Sequence, residues 1–126
     1  MNENQTTYSA VLGVILSNLR KENGLEQGEM AGRMGLSQAS YSRLEGGKSA
    51  FSVDQMYQAA IALGMNEDDI TNRTNNTVSE LRANDVEVLP QVRANTYQGK
   101  SELTPVGSFV VGAALGALLI GLLSKR

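Results

Sequence analysis

Residues 25–48 read LEQGEMAGRMGLSQASYSRLEGGK, and two short helices on either side of a glycine turn follow from them. From Gln27 to Met34, the residues Met30, Ala31 and Met34 recur on one helical face. Gly35 stands where the chain leaves that helix, a position suited to the left-handed backbone that glycine adopts without steric cost. Ser37 is a helix-capping residue type, and a further helix runs from it to about Glu45 with Tyr41 and Leu44 turned inward. Gly46-Gly47 ends that helix.

The same periodicity extends outward. Val11, Leu12, Ile15, Leu16 and Leu19 predict a helix from about Tyr8 to Asn23, stopped by Gly24. Ser52 leads into a helix over Val53–Leu63, with core positions Met56, Ala59, Ala60 and Leu63 and a stop at Gly64. NEDDI starts a short fifth helix anchored by Ile70. The expected fold class is therefore all-α: five short helices over residues 8–71, preceded by a disordered N-terminus (1–7).

Residues 72–103 read as a polar linker with minor local order. Thr77 and Glu80 have capping-box spacing for a brief helix in TVSELRAN, and VEVLP suits a short extended piece. The VEVL segment could also add to a partner's sheet.

Composition narrows the chemistry. The 126 residues contain no cysteine and no histidine, so disulfides, thiolates and imidazole ligands are excluded. No clustered carboxylate spacing suggests a metal loop. No nucleophile–base pair can be assembled except through lysine or carboxylates, and no glycine-rich phosphate loop follows a strand. The chain reads as a non-enzyme, and no cofactor or metal is expected.

These residues carry a family resemblance. From about Leu12 to Ile70 the chain resembles the lambda-repressor-like (XRE) helix-turn-helix family, through Leu19-Arg20, GLEQGEMA at 24–31, Gly35, SQASYSRLEGGK at 37–48 and ALGM at 62–65. The resemblance implies a recognition helix at 37–45 that binds double-stranded DNA, with two copies on a pseudo-palindromic site. It would turn Gln38, Ala39, Ser42 and Arg43 to base edges. Gln27, Ser40, Gly47 and Lys48 would meet phosphates, with Gln27 also bracing Gln38. Arg20 and Glu45 would form an ion pair inside the domain. Side-chain chemistry agrees with part of this: Gln38 can pair bidentately with adenine and Arg43 with guanine, and Ala39 can touch a thymine methyl.

Charge opposes it. Residues 8–71 hold Arg20, Lys21, Arg33, Arg43 and Lys48 against Glu22, Glu26, Glu29, Glu45, Asp54, Glu67, Asp68 and Asp69, a net of −3. Phosphate neutralisation supplies most non-specific DNA affinity, so an acidic reader depends on base contacts or dimerisation.

The far end of the chain is of another kind. Val106–Leu123, VGSFVVGAALGALLIGLL, is uncharged and mostly apolar, with Lys125 and Arg126 behind it. Pro105 suits the first turn of a helix with Thr104 as cap. From 105 to 123 such a helix is about 28 Å long, against a bilayer core of about 30 Å. Gly112 and Gly116 would let two such helices approach closely. The reading is a transmembrane helix and short basic tail at 104–126, contacting lipid through 105–123. The alternative is a buried oligomerisation helix. The N-terminus has no basic signal region, so the expectation is a tail-anchored, single-pass protein of the bacterial inner membrane (or of a phage) with its N-terminal domain in the cytoplasm.

Two functions fit: a membrane-tethered, sequence-specific transcriptional regulator binding DNA as a homodimer, or a membrane-anchored adaptor whose helix-turn-helix binds a cytoplasmic protein, similar to the arrangement of the bacterial shape protein RodZ.

Overall fold

The computed structural model describes residues 4–90. Five helices, α1 (Tyr8–Glu22), α2 (Gln27–Arg33), α3 (Gln38–Glu45), α4 (Val53–Leu63) and α5 (Glu67–Ala83), lie between two three-residue strands, β1 (Gln5–Thr7) and β2 (Glu87–Leu89).

Four of the five helices open on a side-chain hydrogen bond to the backbone. The Thr7 hydroxyl accepts the Ala10 N–H at 3.0 Å and opens α1. Glu29 accepts the Glu26 N–H at 2.9 Å at the start of α2, and the Ser37 hydroxyl accepts the Ser40 N–H at 3.1 Å at the start of α3. Ser52 and Gln55 form a reciprocal capping box on α4. Gly35 and Gly64 take positive φ, 72° and 68°, at the ends of α2 and α4.

The core forms around α1, which buries Val11, Leu12, Ile15, Leu16 and Leu19 against Met30, Ala31, Met34, Tyr41, Ala59, Ala60, Leu63, Ile70, Val78 and Leu81. Met56 and Met65 pack at its margin. Gly13 sits where α1 meets the end of α3: a Cβ there would lie 2.4 Å from the Glu45 carbonyl oxygen.

Residues 72–90 depart from the expected linker. The chain from Glu67 to Ala83 is one helix of 17 residues, which absorbs both the short fifth helix and the polar NRTNNT segment. Its buried stripe is Ile70, Thr74, Thr77, Val78 and Leu81. Two of those positions are threonines, which conceal the apolar spacing. Thr74 donates its hydroxyl to the Ile70 carbonyl at 2.9 Å and Thr77 donates to that of Arg73 at 3.0 Å, so each is buried with its polar atom satisfied.

Residues 5–7 also differ from the expected disordered N-terminus. β1 pairs parallel with β2, Gln5 opposite Glu87, Thr6 opposite Val88 and Thr7 opposite Leu89. Within this domain VEVL is thus paired by its own chain. Tyr8 fastens the same region, donating to Asn75 Oδ1 at 2.7 Å. Parallel strands require a long crossover, and here the five helices supply it, so the two ends of the domain close on each other.

Among the described residues no helix is long and apolar enough to cross a membrane. The expected membrane helix at 104–126, with Gly112 and Gly116, lies outside the described residues.

Candidate nucleic-acid interface

The helix pair α2–α3 is held to α1 by a buried carboxylate. Glu45, at the end of α3, accepts from Arg20 Nε at 2.6 Å, Tyr41 Oη at 2.6 Å and Gln27 Nε2 at 2.8 Å, with Arg20 Nη2 at 3.3 Å. Arg20 Nη1 donates to the Leu25 carbonyl at 2.7 Å, fastening the α1–α2 connection as well. The Arg20 and Glu45 side chains are only 9% and 6% exposed.

The electrostatics follow from this packing. Burial pushes the Glu45 carboxyl upward, but hydrogen bonds from Arg20, Tyr41 and Gln27 and the Arg20 charge outweigh it and hold the group below its ordinary value. The hydrogen bond to Glu45 raises Arg20 against the cost of burial. Tyr41 is raised, first by burial and then by its bond to Glu45. All three groups keep fixed protonation states near neutrality: carboxylate, guanidinium and neutral phenol.

With its inner face clamped, α3 turns the rest outward. Gln38, Ala39, Ser42 and Arg43 are exposed, as is Lys48 just beyond the helix. Arg43 Nη2 lies 3.4 Å from Ser40 Oγ, and Ser40 Oγ is 3.0 Å from Ser37 Oγ, so the half-buried Ser40 lies between the cap and the arginine. A groove where the end of α1 meets the starts of α2 and α3 is lined by Arg20, Lys21, Glu26, Gln27, Gly28, Glu29 and Gln38.

Two residues expected at phosphates also hydrogen-bond within the domain. The Gly47 N–H donates to the Leu44 carbonyl at 3.1 Å and Gly47 is buried, its φ of 76° bringing the backbone against Ala10. That amide closes α3 and is spent. Gln27 uses one of its two amide N–H donors on Glu45 and does not brace Gln38. Gln38 instead lies beside Gly28, where a Cβ would come within 3.5 Å of its Oε1. Lys21 was not among the expected site residues, though it lines the groove. Its only sequence signal was its place beside Arg20 at the end of α1.

Residues 16–70 match the family model described as helix-turn-helix. Within that stretch α2, the turn at Gly35 and α3 have the form of a helix-turn-helix. The match begins midway along α1 and stops near the start of α5, so β1, the first half of α1, most of α5 and β2 lie outside it. Among solved structures, the helix-turn-helix domain shares its fold with the clp gene regulator ClgR from Corynebacterium glutamicum. The two are 23% identical with a TM-score of 0.59, over 62% of this chain and 83% of that one. A second ClgR structure gives 24% identity and a TM-score of 0.53 over 56% and 91%. The restriction-modification controller protein C.AhdI from Aeromonas hydrophila gives 26% identity and a TM-score of 0.48 over 49% and 94%. No curated protein matches the chain by sequence.

Proposed function

We propose that this protein is a sequence-specific DNA-binding transcriptional regulator that reads duplex DNA as a dimer through α3 and is tethered to the bacterial inner membrane by residues 105–123, with the helix-turn-helix domain on the cytoplasmic side. The observation that carries the DNA reading is the division of α3. Tyr41, Leu44 and Glu45 are tied into the domain, while Gln38, Ala39, Ser42 and Arg43 form one face open to water, three of its side chains polar. Gln38 is suited to adenine and Arg43 to guanine, each bidentate pair giving about 1–3 kcal/mol of base discrimination. Lys48, Ser40, Lys21 and the remaining Gln27 donor supply phosphate contacts, which set register without reading sequence.

Glu26 and Glu29, which line the groove, support a second reading in which this face binds a cytoplasmic protein. Selection from a random duplex pool by the full chain in detergent separates the two. Enrichment of a palindromic site supports DNA reading; no enriched sequence supports the adaptor. In the DNA case, Arg43→Ala relaxes preference at one base position. Lys48→Ala weakens all sequences alike and lowers the salt slope by about one.

The tether rests on the apolar run Val106–Leu123. It is tested by fractionation, where recovery of the full chain from the soluble fraction without detergent overturns it.

A further inference from the structure

Gln38 opens α3, and the Ser37 cap fixes its backbone by accepting the Ser40 N–H at 3.1 Å. The side-chain torsions of Gln38 therefore decide where its amide goes. Gln27 does not hold that amide, because Gln27 Nε2 is bonded to Glu45 at 2.8 Å. Among the described residues no hydrogen bond engages the Gln38 side chain.

The amide lies instead over the start of α2, at a residue without a side chain. A Cβ on Gly28 would stand 3.5 Å from Gln38 Oε1 and 3.9 Å from Cδ, with Nε2 farther off. The carbonyl oxygen is thus turned toward α2 and the NH2 group away from it. Gly28 sits inside α2 and is not among the glycines of positive φ, so its backbone conformation does not call for glycine. What the missing side chain provides is room for the Gln38 amide.

We propose that this seat sets what Gln38 reads: with Oε1 against Gly28, the residue presents only its NH2 donors and selects a purine without telling adenine from guanine. The proposal rests on the DNA reading above and refines it at one base position. In the major groove adenine shows an N6 donor beside its N7 acceptor, and guanine shows O6 beside the same N7. Recognising adenine takes both amide atoms, Oε1 for N6 and Nε2 for N7. A seated Gln38 keeps the half that answers N7, which the two purines share, and guanine O6 accepts from the same NH2. Gly28 is thereby a specificity-determining residue that need touch no base itself. A methyl at position 28 would meet the amide at ordinary contact distance and leave it seated. A larger side chain would fill the seat and confine Gln38 to outward rotamers, in which both amide atoms face the groove.

The test is selection from a random duplex pool by the full chain in detergent, with Gln38→Ala marking the position that Gln38 reads. There the wild type should take adenine and guanine within about threefold of each other, below the discrimination of a bidentate pair. Gly28→Leu should raise the adenine-to-guanine ratio about tenfold, as the two-bond pair forms. Gly32→Leu, on the same helix with nothing within 4 Å, should leave the ratio as in the wild type. In the Gln38→Ala background Gly28→Leu should not move it. Both glycines are exposed, so neither leucine should alter the circular dichroism spectrum; Gly28→Val fills the same seat and repeats the measurement if Gly28→Leu does. A wild type that strongly prefers adenine overturns the proposal, as does an unchanged or lowered ratio in Gly28→Leu. So does a rise that Gly32→Leu reproduces or that persists without Gln38. An enriched duplex with strict adenine at this position leaves DNA reading standing and removes the seat. No enriched duplex at all removes DNA reading, and the seat with it.

Discussion

Replacing Glu45 by alanine removes an acceptor on which three side chains converge. Arg20, Tyr41 and Gln27 reach it from α1, α3 and α2 at 2.6, 2.6 and 2.8 Å. The arginine side chain is 9% exposed, so its charge cannot be taken over by water without opening the α1–α3 contact. Breaking one side of a buried ion pair costs about 3–5 kcal/mol, out of a total stability of roughly 0.05–0.15 kcal/mol per residue. For a domain of this size each kcal/mol lowers Tm by about 4–8 °C, so Glu45→Ala should lower it by about 12 °C at the least.

The assay is urea unfolding of the full chain, followed by far-ultraviolet circular dichroism, with the denaturant slope compared between variants. Removing both charges should be milder: Arg20→Met with Glu45→Leu leaves no stranded ion and should recover much of the loss. If Glu45→Ala costs under about 1 kcal/mol, the range of exposed surface pairs, or if the double variant equals the sum of the singles, the clamp is not what holds α3.

Four further outcomes follow. Because Glu45 is held below its ordinary value in the folded state, its stabilising contribution is fully present above the unfolded carboxyl range and is lost as pH falls through the lowered folded value. Stability should therefore decline below about pH 5, and Glu45→Gln should flatten that limb in an acid titration. Gly13→Ala should destabilise by about 1–2 kcal/mol despite better helix propensity, since its Cβ would stand 2.4 Å from a backbone carbonyl oxygen. Gly32→Ala on α2 has nothing within 4 Å and should stabilise by about 0.5–1 kcal/mol. If both glycine variants move in the same direction by urea unfolding, the α1–α3 contact has been misjudged. Leu81→Ala, in the part of α5 beyond the family match, is fully buried and should cost about 2–5 kcal/mol; a cost near zero would detach residues 72–90 from the core.

The contrast between α1 and α5 shows what the sequence made legible. In α1 the buried row is Val11, Leu12, Ile15, Leu16 and Leu19, residues whose side chains announce burial by themselves. α5 buries the same kind of row, but Thr74 and Thr77 fill two of its places. Hydropathy cannot distinguish a threonine bonded back to its own helix from one facing water, so NRTNNT read as a loop. The strand pair was hidden for a different reason. β1 and β2 are three residues each and lie more than eighty residues apart, and neither shows periodicity until the other is beside it. The clamp was half legible: Arg20 with Glu45 came through family resemblance, whereas Gln27 as a donor to Glu45 emerged only from the packing of α2 against α3.

The structure also changes what the acidic balance of residues 8–71 means. Glu45 is bonded within the domain to Arg20, so neither contributes a free charge to the surface. Glu67, Asp68 and Asp69 occupy the first turn of α5, where carboxylates interact favourably with the positive end of the helix dipole. The carboxylates that border the α2–α3 groove are Glu26 and Glu29, and Glu29 is drawn back onto the Glu26 N–H. Against them stand Lys21, Arg43 and Lys48, all exposed. The net of −3 therefore describes the domain as a whole more than the face of α3. A reader so modestly basic gains little from phosphates alone, which places the demand on base contacts and on the second copy. Two linked reading heads meet that demand, because they raise each other's effective concentration on a two-fold site without a strong interface of their own.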